Sequence, residues 1–151
     1  MAKVRFPEDF RDFLKLLDEH AVEYLLIGGY AVGYHGFPRT TLDMDVWVAI
    51  SPENAKKMVE VMIGFGFLPE AVKPEFFMDA EGMIRLGVPP LRLEILKVVD
   101  GVEFEECYER RIVDTLDGVE VSIISLKDLR KNKKACGRHK DITDLENLPE
   151  A

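Results

Sequence analysis

The run from Leu42 to Ile50, LDMDVWVAI, sets two carboxylates one residue apart among side chains that are otherwise apolar. Such alternation fits a strand, whose successive side chains point to opposite faces. Asp43 and Asp45 then share one face, ~6.5–7 Å apart, and Met44 turns to a core on the other. Two like charges on one face repel, and ionised carboxylates are seldom buried unless they are paired or bind a cation. The run is therefore either the solvated face of an ordinary strand or a site for a divalent cation, with magnesium or manganese the ions that prefer hard oxygen ligands.

The flanking segments bear on that choice. Upstream, EYLLIGG is a short apolar run ending in Gly28 and Gly29, which reads as a buried strand entering a tight turn, and YAVGYHG follows as a short helix. Paired glycines let backbone N–H groups approach phosphate oxygens, with a helix N-terminus behind them, although the same pair also serves an ordinary turn. Downstream, LRLEILKVV reads as a strand with Glu94 on the face of Arg92 and Leu96. Three acids from adjacent strands could hold two metals ~3.5–4 Å apart, the arrangement that stabilises the attacking and leaving oxygens of phosphoryl transfer.

The remaining pattern supplies the frame. PEDFRDFLKLLDEHAVEY has helical apolar spacing, and SPENAKKMVEVMIGFGF opens on a Ser cap with Pro52 at the first helical position and stops at Gly64 and Gly66. EFFMDAEGMIRLGV suggests a hairpin around Asp79 to Gly82, with the Glu94 strand following Pro89 and Pro90. GVEFEECYERR reads as a short helix and IVDTLDGVEVSII as a hairpin turning at Asp117 and Gly118. A helical region from Ser125, interrupted at Gly137, closes the chain. The expectation is an α/β or α+β fold, one mixed sheet with helices packed against it, over residues 1–151 as a single domain.

With 47% hydrophobic residues the chain can form one sizeable core, and a net charge of -8 argues against coating nucleic acid by global electrostatics. The basic block KDLRKNKKACGRHK, Lys127 to Lys140, is the place for a polyanion contact, or else a solvated helix face. Cys107 and Cys136 lack metal-ligand spacing and read as reduced thiols. No run of ~18 apolar residues suggests a membrane span, and the expected location is cytoplasmic.

The order strand, Gly-Gly, short helix, strand with Asp-x-Asp, helix, strand with a lone acid resembles the nucleotidyltransferase superfamily typified by DNA polymerase beta. More narrowly, YLLIGGYAVGYHGFPRTTLDMDVWV, ENAKKMVEVMIGFGF, VVDGVEFEE and LRKNKKACGRHKDITDLENL are similar to small bacterial and archaeal nucleotidyltransferase-like proteins related to AbiEii-type toxins. The resemblance implies that Gly28 and Gly29 bind phosphate, that Asp43 and Asp45 bind metal, and that Glu94 is the third acid, as metal ligand or base, where the family more usually has Asp. It also highlights Arg39 and Thr41 before the acidic strand, and Lys133, Arg138, Lys140 and Asp141 in the last helical region.

The implied activity is Mg2+- or Mn2+-dependent transfer of an NMP group from an NTP such as ATP to a hydroxyl of RNA or protein. A toxin with an antitoxin partner, and a homo-oligomer, are compatible with it. A non-catalytic binding or regulatory module of the same fold is the alternative. Several residues keep two readings: Arg39 as pyrophosphate ligand or surface residue, Trp47 as base platform or core, and His35 as ligand contact or packing residue. Lys140 with Asp144 reads as a helix-surface pair, and Asp141 as an orienter of Arg138 at i, i+3.

Overall fold

The computed structural model describes residues 4–38, 41–87 and 91–151. Helix α1 (Glu8–Glu19) buries Phe10, Phe13, Leu14 and Leu17 along one stripe, and Glu8 and Asp9 in its first turn complement the helix dipole. Strand β1 (Tyr24–Ile27) is buried at all four positions and passes directly into α2 (Gly28–Tyr34). Strand β2 (Asp43–Val48) precedes α3 (Pro52–Phe65), which starts where Ser51 Oγ accepts the Asn54 N–H at 3.1 Å. Gly64 lies inside α3 rather than ending it, and Gly66 at φ 121° makes the stop.

Strands β3 (Met83–Leu86) and β4 (Arg92–Leu96), helix α4 (Phe104–Glu109), the hairpin β5 (Ile112–Leu116) and β6 (Val119–Ile123), and helices α5 (Leu126–Cys136) and α6 (His139–Asn147) complete the chain. The six strands form one mixed sheet in the order β3-β4-β2-β1-β6-β5. β2 runs antiparallel to β1 and parallel to β4, and β1 runs parallel to β6. This is the mixed α/β architecture expected from the pattern.

One expectation changes, and one of the two readings of Trp47 is settled. Residues 75–87 do not form a hairpin: Pro74–Phe77 is a 3-10 turn that buries Phe77 to 1% exposure, and β3 pairs instead with β4. Asp79, exposed at the surface, accepts from the Lys97 ammonium at 3.0 Å and from the Glu81 N–H at 3.0 Å, contacts that take the place of a sheet ladder in this segment. The Pro89–Pro90 connection lies outside the described residues. Trp47, although in step with Asp43 and Asp45, is core: its ring meets Phe104 edge-on at 5.1 Å and its N–H donates to the Lys97 carbonyl at 3.3 Å.

The C-terminal helices are tied by charge. Lys133 on α5 is 4% exposed, and its ammonium reaches Asp141 Oδ1 and Asp144 Oδ2 on α6, both at 3.1 Å. Burial pushes the Asp141 carboxyl up, but hydrogen bonds from Arg138 and Lys133 outweigh it and hold the group below its ordinary range. Both cysteines are free thiols, and among the described residues no helix is long and apolar enough to cross a membrane.

Removing the shared cation takes the Lys133 ammonium from two buried carboxylates at once. Lys133→Ala is expected to lower stability at neutral pH by about 3–5 kcal/mol, read from urea unfolding. Because Asp141 titrates below its unfolded value, that stabilisation is present above the ordinary carboxylate range and lost as pH falls through the folded pKa. The gap between wild type and variant therefore closes in acid.

Candidate functional site

Strand pairing lines up one row of residues across the sheet. Ile27, whose chain continues into Gly28, pairs with Asp45, Asp45 with Glu94, and Glu94 with Arg85. Asp43 sits in the next row, opposite Arg92. Because alternate residues share a face, Asp43, Asp45, Arg92, Glu94 and Arg85 all open to the same side. They line a cleft of about 760 Å³ together with Gly28, Gly29 and Thr41, closed on another side by Lys133, Arg138 and Lys140.

The two glycines are required by close approach. Gly28 has φ +67°, a left-handed conformation, and a Cβ there would collide with the Asp45 carboxylate. A Cβ on Gly29 would meet Thr41 Oγ1 at 2.7 Å. Thr41 in turn donates to the Asp43 carbonyl at 3.0 Å, which fixes the approach to β2. The start of α2 therefore lies directly against the acidic strand.

Asp45 carries the strongest electrostatic signature. Burial, then hydrogen bonding to the Glu94 carboxylate, then the charges of Glu94 and Asp43 push its pKa up to about 7, with Lys140 opposing. Among the described residues Asp45 Oδ1 is buried without a hydrogen-bond partner. Glu94 also accepts from Arg85 Nε at 3.1 Å.

The donor set suits a hard divalent cation in part. No three Asp, Glu, His or Cys side chains among the described residues converge closely enough to enclose a metal by themselves. Mg2+, however, is commonly held by one or two carboxylates with water and substrate phosphates completing the shell. The orphaned Asp45 oxygen, the adjacent Asp43 and the glycine gap beside them fit such an open site.

Gly28, Gly29, Thr41, Asp43, Asp45, Glu94, Lys133, Arg138 and Lys140 all line this cleft, as the sequence suggested, while Arg39 lies outside the described residues. Their side chains are not equally free. Lys133 is committed to Asp141 and Asp144, whereas Arg138, 57% exposed in its side chain, is braced by Asp141 at 2.7 Å and can present its outer nitrogens. Asp141 therefore does orient Arg138. Asp144 pairs with Lys133 in the interior. His35 donates from Nε2 to the Ile124 carbonyl at 2.7 Å and is a packing residue. Arg85 was not distinguishable as a site residue from sequence; its alternation with Met83 in β3 becomes a signal only once β3 is known to pair with β4.

No family profile matches the chain, and no curated protein matches it. Solved structures do. A candidate nucleotidyltransferase from Thermotoga maritima superposes with a TM-score of 0.56 at 15% identity, over 91% of this chain and 88% of that one. An antigenic nucleotidyltransferase-like protein from Paracoccidioides brasiliensis gives 0.51 at 17% identity, over 95% of this chain and 76% of that one. The protein has the nucleotidyltransferase-like fold.

Two outcomes test this geometry. Gly28→Ala should lose about 1–2 kcal/mol from left-handed strain alone, with further loss from displacing Asp45, measured as a shift in denaturant midpoint. For Asp45 the folded pKa is raised, so its contribution is complete below the ordinary carboxylate range and is lost as pH rises through about 7. Asp45→Asn, which cannot ionise, should be more stable than wild type at pH 8, and the advantage should vanish by pH 4.

Proposed function

We propose that the protein is a metal-dependent nucleotidyltransferase that moves an NMP group from an NTP to an acceptor hydroxyl on RNA or protein. The observation that carries this reading is the packing of Gly28 against Asp45 in a cleft shared with Asp43 and Glu94. That contact puts backbone donors for phosphate beside carboxylates for a cation. Fold likeness supports the class, and the chemistry of the cleft supports the reaction.

Asp43 and Asp45 would hold Mg2+ or Mn2+, which when bound supplies charge neutralisation for the triphosphate. The chain's own residues do the rest. The Gly28–Gly29 backbone orients the phosphates, Arg138 and Lys140 add positive potential from α6, and Glu94 is placed to accept the acceptor's proton. Catalysis of this kind is chiefly positioning and electrostatics. The similarity of several segments to AbiEii-related proteins extends the proposal to a toxin restrained by an antitoxin partner.

With Mg2+ and labelled NTPs, label should pass to an acceptor, and Asp43→Asn or Asp45→Asn should reduce transfer by roughly two orders of magnitude or more. Calorimetry in buffers of different ionisation enthalpy should show proton release on Mg·NTP binding near pH 7, as expected when Asp45 ionises to take a cation. Nucleotide binding without turnover would identify the non-catalytic module instead, a reading that Arg85's hold on Glu94 favours. If the toxin role is correct, growth arrest on expression should be relieved by Asp45→Asn.

A further inference from the structure

We propose that β3 is a self-association edge: two copies of the chain join β3 to β3, antiparallel about a two-fold axis, and each contributes Arg85 to the wall of the other's cleft. The inference stands independently of what the cleft transfers.

The sheet ends in β5 on one side and β3 on the other, and the two edges offer different things to an added strand. At β5 the hairpin turns on Asp117 and Gly118, so the flanking Leu116 and Val119 exchange hydrogen bonds and the outward backbone groups are those of Val113 and Thr115. The Thr115 N–H is already taken by Asp114 Oδ1 at 2.8 Å, which guards that edge with a charge as well as a cap. At β3 the outward groups follow from the next strand. The Arg92 N–H donates to the Leu42 carbonyl at 3.2 Å, so Arg92 and Glu94 face β2, and the alternate residues Leu93 and Ile95 face β3. Their partners Leu86 and Ile84 therefore bond inward, and the N–H and C=O groups of Met83 and Arg85 point away from the sheet. Among the described residues no side chain caps them, and β3 carries neither proline nor lysine.

The register identifies the occupant. Side chains keep to their own faces, so a two-fold axis that pairs most of β3 passes at Ile84 or at Arg85. An axis at Arg85 sets two guanidiniums directly opposite each other, which is destabilising. An axis at Ile84 sets Met83 against the partner's Arg85 and Ile84 against the partner's Ile84, and the outward groups of Met83 and Arg85 then exchange about four backbone hydrogen bonds with the second copy. The strand is thus its own complement. Apolar surface lies at the same end: the Phe76 carbonyl and the Asp79 carboxylate both accept from Lys97, next to Leu96, which pairs with Met83. Phe76, Met78 and Met83 are 47%, 42% and 41% exposed, and a strand added at this edge covers part of that surface. Met83 and Arg85 line the cleft, so the partner's Arg85, set against Met83, joins its wall, and two clefts open on one face of a continuous sheet.

The test is sedimentation equilibrium of the whole chain over the micromolar to sub-millimolar range, with cysteine cross-linking to fix the register. Wild type should approach twice the 17.2 kDa chain mass as concentration rises. Met83→Lys places a like charge opposite the partner's Arg85 twice per dimer and should raise the dissociation constant roughly tenfold, while Met83→Glu should not weaken association. Circular dichroism should be unchanged in both. With Cys136 replaced by Ser, Ile84→Cys should form a disulfide dimer on mild oxidation, since non-hydrogen-bonded antiparallel partners bring Cα atoms to about 4.5 Å. Val113→Cys on the guarded edge should not. A wild type that stays monomeric throughout would overturn the proposal, as would a dimer indifferent to both Met83 variants or one that cross-links through Val113→Cys instead of Ile84→Cys.

Discussion

The contact between Gly28 and Asp45 organises the cleft. Because residue 28 has no side chain, the end of β1 can press against the carboxylate of the neighbouring strand, and the first turn of α2 starts at the acidic row. Everything polar in the cleft is placed relative to that approach. Thr41 fills the gap left by Gly29 and holds the entry to β2 through the Asp43 carbonyl, while β4, parallel to β2, brings Glu94 to the same level. A side chain at residue 28 would move the acid and the first turn of α2 together.

A second constraint sets the opposite wall. The buried ammonium of Lys133 between Asp141 and Asp144 locks α5 to α6, and Asp141 also accepts from both the backbone and the guanidinium of Arg138. One carboxylate thus caps α6, pairs with an interior lysine and aims an arginine at the cleft. Such an ion cluster contributes little net stability beyond an apolar substitute, so its value lies in fixing geometry. Lys133 is an internal brace, and the positive potential facing the acids comes from Arg138 and Lys140.

Much of this was legible in the sequence, for identifiable reasons. The Gly-Gly turn, the alternation around Asp43 and Asp45 and the lone acid at Glu94 are local patterns, and local patterns survive into the fold because they report strand faces directly. The helix starting at Ser51 and the break at Gly137 were equally readable, since capping and left-handed stops are local chemistry. What escaped was long-range. The segment before β3 becomes a 3-10 turn because Phe77 is buried and Asp79 reaches Lys97, neither of which periodicity reveals. Trp47 alternates with the acids yet is core, because Phe104 from a distant helix covers the sheet at that level. Arg85 and the division of labour between Lys133 and Arg138 likewise depend on which strand and which helix are neighbours.

The electrostatics of the acidic row explain how three carboxylates share one sheet face. Burial and the neighbouring acids raise the pKa of Asp45 to about 7, while Arg85 pairs with Glu94 from the other side. The two devices differ in kind: protonation of Asp45 follows from burial and gives way as pH rises through about 7, whereas the Arg85–Glu94 pair is largely exposed on the arginine side and contributes little to stability.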